Sequence, residues 1–417
     1  GEGNNSVLAF HNNTLQTSGI SAFIVSFIAS ADSVLIDSCT FNNGGTGISA
    51  TALTTNHLEV SNSNFNGQRD KGIYFSGTVQ NTVIRKNNID INSNQDQAYG
   101  ISTFDAANTI LIEQNVIDIS NASDPNYTPA GIEVKSNNAV TDVSIINNYV
   151  RTTSFYTRGI RVFALSKAKC QFNTINAYHN ALEVTFVDTL TSNNNILISQ
   201  ANQGHAFFAN SISEIESDYN CFWAGNTDFS YNGTPYNGLG NYQGATGLDL
   251  NSIYHQPQFT NFSYTTTDIL INGAGVTIPG INVDIEDASR TSPPDIGCYE
   301  FTPPALEVNL VNLGNLESTM CPGLTSLTME VENLGTDTID SLLILVELNN
   351  AHYDSILWTG SISSLAAAQI NYLNFNFEDL GTYEFDVTIL EVNGQTDAYA
   401  LNNMLQSPTV YTKMVGV

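Results

Sequence analysis

Positive charge is scarce in this sequence of 417 residues. Twelve Lys and Arg residues stand against 40 Asp and Glu residues, which gives a formal net charge of −28 at pH 7. Without a basic stripe to neutralise phosphates, a nucleic acid partner is not predicted. An anionic membrane surface is disfavoured for the same reason. No apolar run is long enough to cross a bilayer, so membrane insertion is not predicted either.

Cysteine is also sparse, and its count of five is odd. The spacings contain no Cys-x-x-Cys pair, which disfavours a zinc site. In the repeat described below, Cys170 and Cys221 would lie two coils apart, at about 9–10 Å, beyond the roughly 7 Å limit for a disulfide. Disulfides are therefore not expected to organise the fold. Asn, Ser and Thr supply most of the polarity, which is typical of a solvated extracellular surface.

What the sequence does contain is a repeat between residues 10 and 222. An apolar or small residue is followed three positions later by Asn or a small residue, and two positions after that by a large apolar residue. A period of this length is the signature of a stacked solenoid. The nine triplets are Phe10/Asn13/Leu15, Ile36/Cys39/Phe41, Val60/Ser63/Phe65, Ile84/Asn87/Ile89, Ile112/Asn115/Ile117, Ile145/Asn148/Val150, Cys170/Asn173/Ile175, Ser192/Asn195/Leu197 and Ser217/Asn220/Phe222.

Each position of the triplet has a physical role. The first and third residues are expected to point inward, as a half-buried strand requires. The Asn falls where the coil must turn, because Asn tolerates unusual backbone angles and its amide can bond the backbone. Coils stack about 4.8 Å apart, so successive amides are expected to bond one another. The predicted ladder residues are Asn13, Asn87, Asn115, Asn148, Asn173, Asn195 and Asn220.

A second strand precedes most triplets and opens on a small residue, as in Gly47-Ile48 and Gly131-Ile132. Two or three short strands per coil, without a helical period, predict an all-β parallel solenoid. A β-sandwich is the alternative, with turn signals every 8–12 residues. The solenoid is favoured because a sandwich does not keep one motif for nine turns.

These "NxxI" turns and "GI" strands resemble the right-handed parallel β-helix of the pectate-lyase-like superfamily. Segments 217–222, 256–259, 283–290 and 294–301 are similar to the last rung and closing segment of secreted β-helix proteins common in Bacteroidetes. The family pattern has Gly near Ala288 and Ala near Cys298. The resemblance implies a right-handed parallel β-helix over residues 1–303 and secretion, of the type IX kind. It does not specify the chemistry, because this superfamily holds lyases, hydrolases, tailspikes and inert adhesin stalks.

A second domain is predicted over residues 304–417. Thr302-Pro303-Pro304 forms a stiff linker, and alternating apolar runs separated by turn clusters follow it. Seven or so short strands indicate an immunoglobulin-like β-sandwich. The sequence of this domain resembles the adhesion-type Ig-like modules of large Bacteroidetes surface proteins. Trp358 is the candidate for stacking on a sugar, although a lone Trp in a sandwich more often belongs to the core.

The candidate active site lies on the outer face of one solenoid sheet. The second residue after each small residue gives the column Ser49, Tyr74, Ser102, Glu133, Arg161, Glu183 and Phe208. Glu133 and Glu183 would be about 9–10 Å apart, as an inverting glycoside hydrolase requires, and Arg161 could neutralise a uronate for a lyase. Alternating charges on adjacent strands also describe a structural charge ladder, and that interpretation is favoured. The insertion 121–130, with Pro125, Tyr127 and Pro129, would form a groove wall.

An acidic cluster near the end of the solenoid is the candidate metal site. Asp284, Glu286, Asp287 and Asp295 could hold Ca²⁺, and no other cofactor is predicted. The alternative is structural, with these carboxylates paired with Arg290.

The leading hypothesis is a non-catalytic structural or adhesive module of a large secreted or cell-surface protein, able to assemble into an extracellular fibre. The chain opens inside the repeat with no capping element, so Gly1 is expected to be a processing boundary. The expected partners are other domains or copies of the same surface protein, glycans and other cell surfaces. The alternative is a carbohydrate-active enzyme, either a polysaccharide lyase or an inverting glycoside hydrolase.

Overall fold

The computed structural model describes residues 6–413, except 18–22, 28–30, 52, 93–97, 106–107, 121–128, 137–140, 226–227, 258, 260–262 and 379. The chain divides into two compact units. The first comprises Gly1–Thr266 and Ile271–Phe301, and the second comprises Thr267–Leu270 and Thr302–Val417.

The first unit contains a parallel β-solenoid whose strands stack in three columns. The front column consists of Phe23–Phe27, Thr46–Ala50, Lys71–Ser76, Tyr99–Phe104 and Ala130–Lys135. The middle column consists of Val7–His11, Ser33–Asp37, Thr54–Ser61, Thr78–Arg85, Thr109–Glu113 and Asp142–Ile146. Three long strands then run through both columns: Arg158–Gln171, Leu182–Asn193 and Phe207–Asp218.

The rear column forms a separate sheet of short strands. It consists of Thr14–Gln16, Thr40–Asn42, Asn64–Gln68, Asn88–Asn92, Val116–Ser120, Tyr149–Thr152, Thr174–Ala177, Ile196–Ser199, Cys221–Ala224 and Ile253–Tyr254. Every pairing between successive coils in the three columns is parallel, which confirms the predicted solenoid.

The repeat triplets lie in register from coil to coil. In the middle column Ile84 pairs with Ile112 and Ile112 with Ile145. In the rear column Ile117 pairs with Val150. These side chains are fully buried in one continuous core, as the inward orientation predicted. Because similar residues stack on one another, each branched side chain covers the one in the next coil.

The turn between the middle and rear columns differs from the prediction in one respect. The left-handed backbone belongs to the residue before each ladder position, not to the ladder Asn itself. Its φ is 48–58° at Asn62, Lys86, Gln114, Asn147, Phe172, Asn194 and Tyr219. Polar, charged and aromatic residues all occupy this position, so the turn is imposed by the stacked coils and not by local preference.

The C-terminal end of the solenoid core is covered by aromatic residues and one helix, which the sequence pattern did not indicate. The strands Phe229–Tyr231 and Thr234–Tyr236 form an antiparallel hairpin, and the helix Leu239–Thr246 follows. Tyr242 is fully buried and stacks on Phe229, with ring centroids 4.5 Å apart and planes at 4°. The apolar end of the last coil is thereby removed from water.

Residues 271–301 return along the outside of the rear column. Ile271 and Ile296 pack with Ile196 and Cys221, and further along the sheet Cys298 packs with Tyr149. This closing segment contains little regular structure, so its position is fixed by side-chain packing and hydrogen bonds to the turns.

The second unit consists of sheets consistent with a β-sandwich, and their pairings are antiparallel except for that of Thr319–Met320 with Val410–Thr412. One sheet contains Val308–Gly314, Gly323–Asn333 and Ala367–Phe377. A second contains Ile339–Leu348, Ala351–Ile362, Phe385–Val392 and Met404–Gln406. A third sheet contains the short strands Thr319–Met320, Thr382–Tyr383 and Val410–Thr412. A short 3-10 helix, Ala400–Asn402, precedes the strand Met404–Gln406.

Candidate functional site

The outer face of the front column carries the side chains that sequence reasoning singled out. Successive strands place in one register column Ser49, Tyr74, Ser102, Glu133, Arg161, Glu183 and Phe208. Arg161 and Glu183 lie on two of the long strands, and Glu133 lies on the neighbouring strand Ala130–Lys135.

Four of the side chains here form a continuous set of ion pairs, which we call the ionic row: Glu133, Arg161, Glu183 and Arg158. Arg161 donates from Nη1 to Glu133 Oε2 at 2.9 Å and from Nε to Glu183 Oε1 at 3.1 Å. Arg158 donates to the other oxygen of Glu183, and Asn180 Nδ2 donates to that same oxygen at 2.8 Å. Both carboxylate oxygens of Glu183 are therefore occupied.

The ionic row is mostly shielded from water, with side-chain exposure of 9% for Glu183 and 20% for Arg161. Burial by itself would raise the pKa of Glu183, but the charges and hydrogen bonds of Arg158, Arg161 and Asn180 outweigh it and lower that pKa. Burial likewise disfavours the charged form of Arg161, yet Glu183 and Glu133 raise its pKa. A carboxyl group that acts as a general acid needs a raised pKa. Because the pKa of Glu183 is lowered, Glu183 stays ionised and is unsuited to that role.

Cations on this face also lie over aromatic rings. Lys71 Nζ is 4.0 Å from the centroid of the Tyr74 ring. Lys135 Nζ lies between two rings, 5.4 Å from that of Phe104 and 5.5 Å from that of Phe163. In each contact the face of the ring attracts the ammonium group.

Beside the ionic row, three loops connecting the rear and front columns line an open cavity of about 370 Å³, which we call the loop groove. Its lining residues are Phe155, Tyr156, Tyr178, His179, Gln200, Ala201, Asn202 and Gln203. The groove adjoins the row through Arg158, whose Nη1 donates to the carbonyl of Tyr156 at 3.3 Å.

The predicted groove wall falls largely on residues 121–128, including Pro125 and Tyr127, which lie outside the described part of the chain. Pro129 is described and is buried.

The predicted Ca²⁺ ligands are engaged in separate contacts. Asp284 Oδ1 accepts hydrogen bonds from the backbone N–H groups of Glu286 and Ala288, at 2.8 and 2.9 Å. Asp295 accepts from the backbone N–H of Phe301 at 2.8 Å, and burial raises the pKa of Asp295 to about 6. Both carboxylates thus close backbone turns of the closing segment.

The other two members of the acidic cluster face different partners. Glu286 Oε1 accepts from the hydroxyl of Tyr264 at 2.8 Å. Asp287 pairs with Lys86 at 2.6 Å and accepts from Gln114 Nε2 at 2.9 Å. Among the residues that the structure describes, no group of three or more His, Cys, Asp or Glu side chains is placed to hold a metal ion. The four predicted ligands are therefore not brought together.

Arg290 has a structural partner set that the sequence pattern identified only in part. Its guanidinium lies 3.8 Å from the centroid of the Phe172 ring, and Nη2 donates to Asn147 Oδ1 at 2.7 Å. Nη1 donates to Glu300 Oε2 at 3.1 Å, so Arg290 pairs with Glu300 as its salt-bridge partner. The side chain of Arg290 is only 3% exposed. Arg290 thereby fastens the closing segment to two of the left-handed turns.

The ladder residues form a buried chain of amides, which we call the amide ladder: Asn87, Asn115, Asn148, Asn173, Asn195 and Asn220. In each link the Oδ1 of one Asn accepts two hydrogen bonds from the Asn of the preceding coil, one from its backbone N–H and one from its Nδ2. The distances are 2.9–3.0 Å. Every side chain in the ladder is at most 2% exposed.

The two ends of the amide ladder differ. Asn13, which was predicted as a ladder member, is exposed and donates to the carbonyl of His11 in its own turn. At the other end Asn220 Nδ2 donates to Oδ1 of Asp249 at 3.0 Å. Asp249 is 1% exposed, and this burial raises its pKa to about 6. The ladder therefore ends on a carboxyl group that no repeat motif identifies.

The structure also places Trp358 and the five cysteines, which the sequence analysis singled out. Trp358 is partly buried and packs against the sandwich core. Cys39, Cys170, Cys221 and Cys298 are buried, and Cys321 is exposed. None of the helices in the described part of the chain has the length and apolarity needed to cross a bilayer.

Sequence reasoning missed the aromatic residues of the loop groove. The available signal was a pair of aromatic dipeptides, Phe155-Tyr156 and Tyr178-His179, placed just before the small residue of two successive coils. Asn180 was also missed, because no motif marks an amide that serves a carboxylate three residues later.

Comparison with known proteins adds little to this description. No protein-family model matches the chain, and no curated protein matches it. A domain from Methanosarcina acetivorans, named as part of a cell surface protein, shares 19% identity at a TM-score of 0.23, covering 26% of this chain and 93% of its own. A CARDB domain from Pyrococcus furiosus shares 20% identity at a TM-score of 0.21, covering 27% of this chain and 96% of its own. These similarities assign neither a function nor a ligand.

Proposed function

We propose that this chain is a non-catalytic structural and adhesive module of a large secreted or cell-surface protein. The observation that carries the proposal is that the charged side chains of the ionic row are paired with one another. Both oxygens of Glu183 accept hydrogen bonds, and Arg161 joins it to Glu133. Carboxylates held this way strengthen the pairing of neighbouring strands, and both oxygens of Glu183 are engaged by protein donors.

Two further properties support the same proposal. The amide ladder from Asn87 to Asn220 and the continuous core stiffen the solenoid, which suits a rod that presents or spaces other groups. The net charge of −28 keeps such a rod soluble and repels anionic surfaces. Partners of this module would be other domains or copies of the same protein, and uncharged glycans.

The experiment distinguishes a structural role of the ionic row from a catalytic role. The purified chain is incubated with polygalacturonate, alginate, xylan and mixed-linkage β-glucan, and both unsaturated products and new reducing ends are measured. We expect no product. Glu133→Gln and Glu183→Gln are expected to lower the thermal midpoint, because each breaks a shielded ion pair.

The outcome that would overturn the proposal is product formation that either substitution abolishes. An increase in the thermal midpoint of both variants would also contradict it, since removing strained catalytic groups commonly stabilises an enzyme. The matched control is Glu59→Gln, which breaks a more exposed pair with Arg85 on the middle column and is expected to change neither readout measurably.

A further inference from the structure

We propose that the loop groove binds an uncharged carbohydrate chain. This inference rests on the adhesive part of the proposed function and gives it a ligand class. It is carried by the combination of exposed aromatic faces, neutral hydrogen-bonding groups and a rigid backbone in one concave site.

The aromatic residues of the groove are exposed in a way that folding alone does not require. Phe155 is 60% exposed and Tyr156 is 38% exposed, although both are large. The ring of Phe155 lies 4.7 Å from that of Tyr178 in the next coil, and the ring of Tyr156 lies 6.2 Å from that of His179. Two rows of rings thus line one groove, and covering them with the C–H face of a sugar would remove apolar surface from water.

The backbone of Tyr156 adopts a left-handed conformation with φ of 60°. Bulky side chains rarely occupy this region, but the turns of this solenoid also place Phe172, Phe186 and Tyr219 in it. The conformation sits in the short turn closed by the hydrogen bond from Thr157 N–H to the carbonyl of Ser154, at 3.1 Å. The turn holds Phe155 and Tyr156 at the surface beside the cavity.

The polar lining of the groove carries amides and no formal charge. Gln200, Asn202 and Gln203 are exposed at its edge. Primary amides both donate and accept hydrogen bonds, which matches the hydroxyl groups of a neutral sugar. Burial and the nearby charge of Arg158 lower the pKa of His179 to about 4, so its imidazole is neutral at physiological pH.

The loops of the groove are fixed to one another by backbone hydrogen bonds. His179 N–H donates to the carbonyl of Thr157 at 3.0 Å, and Ala201 N–H donates to the carbonyl of Tyr178 at 2.7 Å. A site built this way needs little ordering when it binds, so less free energy is lost on association.

Charge decides between classes of polysaccharide. A uronate chain would meet no free cation in the groove lining, because the adjacent Arg158 is already paired with Glu183. The net charge of the whole chain also opposes an anionic ligand. The chemistry therefore selects neutral hexose or pentose polymers over acidic ones.

The test measures binding of cellohexaose, xylohexaose, mannohexaose and maltohexaose by isothermal titration calorimetry, with hexagalacturonate as the acidic comparison. We expect at least one neutral oligosaccharide to bind and hexagalacturonate not to bind. Tyr156→Ala and Phe155→Ala are each expected to weaken that binding at least tenfold.

Phe186→Ala is the matched control. Phe186 is an aromatic residue with 54% exposure and a φ of 55°, like Tyr156, but it lies outside the groove and contacts Phe163. Its replacement is expected to leave binding unchanged. Circular dichroism melting curves establish that all three variants are folded.

Three results would overturn the groove assignment: no binding of any neutral oligosaccharide, stronger binding of hexagalacturonate, or equal loss in Phe186→Ala. None of them concerns cleavage, so a failed groove leaves the non-catalytic proposal standing. Conversely, cleavage abolished by Glu183→Gln would remove the non-catalytic proposal whatever the groove binds.

Discussion

The amide ladder and the ionic row both stack side chains from coil to coil, but they use different chemistry. An amide carries a donor and an acceptor, so identical residues can bond one another without limit, as Asn87 to Asn220 do. Charged groups must alternate in sign, so the row requires Glu133, Arg161 and Glu183 in that order.

Burial follows from this difference. Ladder amides are at most 2% exposed, because every polar atom finds a partner inside the stack. The residues of the ionic row keep side-chain exposures of 9–20%, because charges are costly to remove fully from water. Repetition of one neutral residue therefore builds an interior column, whereas alternating charge builds a column on the outer face.

The largest effect is expected from breaking the ladder in its middle. Asn148→Ala leaves the buried N–H of Asn115 without its acceptor and opens a small cavity, which together should destabilise the fold by about 2–4 kcal/mol. The measurement is the free energy of unfolding from urea denaturation.

Asn13→Ala is the control for that prediction. Asn13 holds the same position of the triplet but is exposed, and its side-chain amide donates to the carbonyl of His11 in its own turn. Its loss should cost at most about 0.5 kcal/mol. Equal effects at Asn13 and Asn148 would show that the ladder contributes nothing beyond local turn formation.

The next largest effect is an increase in the stability of the fold, expected on replacing Asp249. The pKa of Asp249 is raised to about 6 in the fold, against 3.8 as its ordinary value, so the folded state binds a proton more tightly than the unfolded chain. Asp249 therefore reduces stability progressively as pH rises from about 4 to 6, and the reduction is complete above that range.

Asp249→Asn removes this ionisation and places a further amide at the end of the ladder. We expect the variant to be more stable than the natural chain by about 2–3 kcal/mol at pH 8 and equally stable near pH 3.5. The thermal midpoints of both proteins are compared across this pH range. A difference that does not change with pH would contradict the titration of Asp249.

A smaller loss is expected in the ionic row. Arg161→Gln leaves Glu133 without its charged partner, while Glu183 keeps Arg158 and Asn180, so the fold should lose about 1–2 kcal/mol. Because the row is partly exposed, 0.5 M NaCl should reduce the difference from the natural chain. An undiminished difference would indicate lost packing in place of lost charge.

The smallest effect is expected for an exposed pair on the same solenoid. Arg85 bonds Glu59 at 2.8 Å, but the Arg85 side chain is 46% exposed. Arg85→Gln should therefore change the free energy of unfolding by less than about 0.5 kcal/mol. A loss as large as that of Arg161→Gln would show that exposure does not explain the difference between the two pairs.

Much of the fold followed from the triplets, because inward residues such as Ile84, Ile112 and Ile145 repeat at a spacing that only stacked coils satisfy. Three members of the ionic row, Glu133, Arg161 and Glu183, also followed from counting two residues past each small residue, whereas Arg158 lies before one. Backbone details did not follow. The left-handed turn falls on residues as different as Lys86 and Phe172, so no residue preference could reveal it.

Contacts between distant parts of the chain were equally hidden. The Ca²⁺ cluster was inferred from residues close in sequence, yet Asp287 pairs with Lys86 from a coil 201 positions earlier. The aromatic dipeptides could have indicated exposed rings, but they could not have indicated that the loops form a groove. Loops from three coils meet there, and loop lengths alone do not define a cavity.

The sequence by itself determined the stacking, the inward residues and the amide column, because each arises from a short pattern repeated at a constant spacing. Only the tertiary structure decided where the column ends, which carboxylates are neutralised and where exposed aromatic rings converge. Asp249, Arg290 and Tyr156 owe their roles to neighbours brought from other coils, and that proximity is a property of the completed fold.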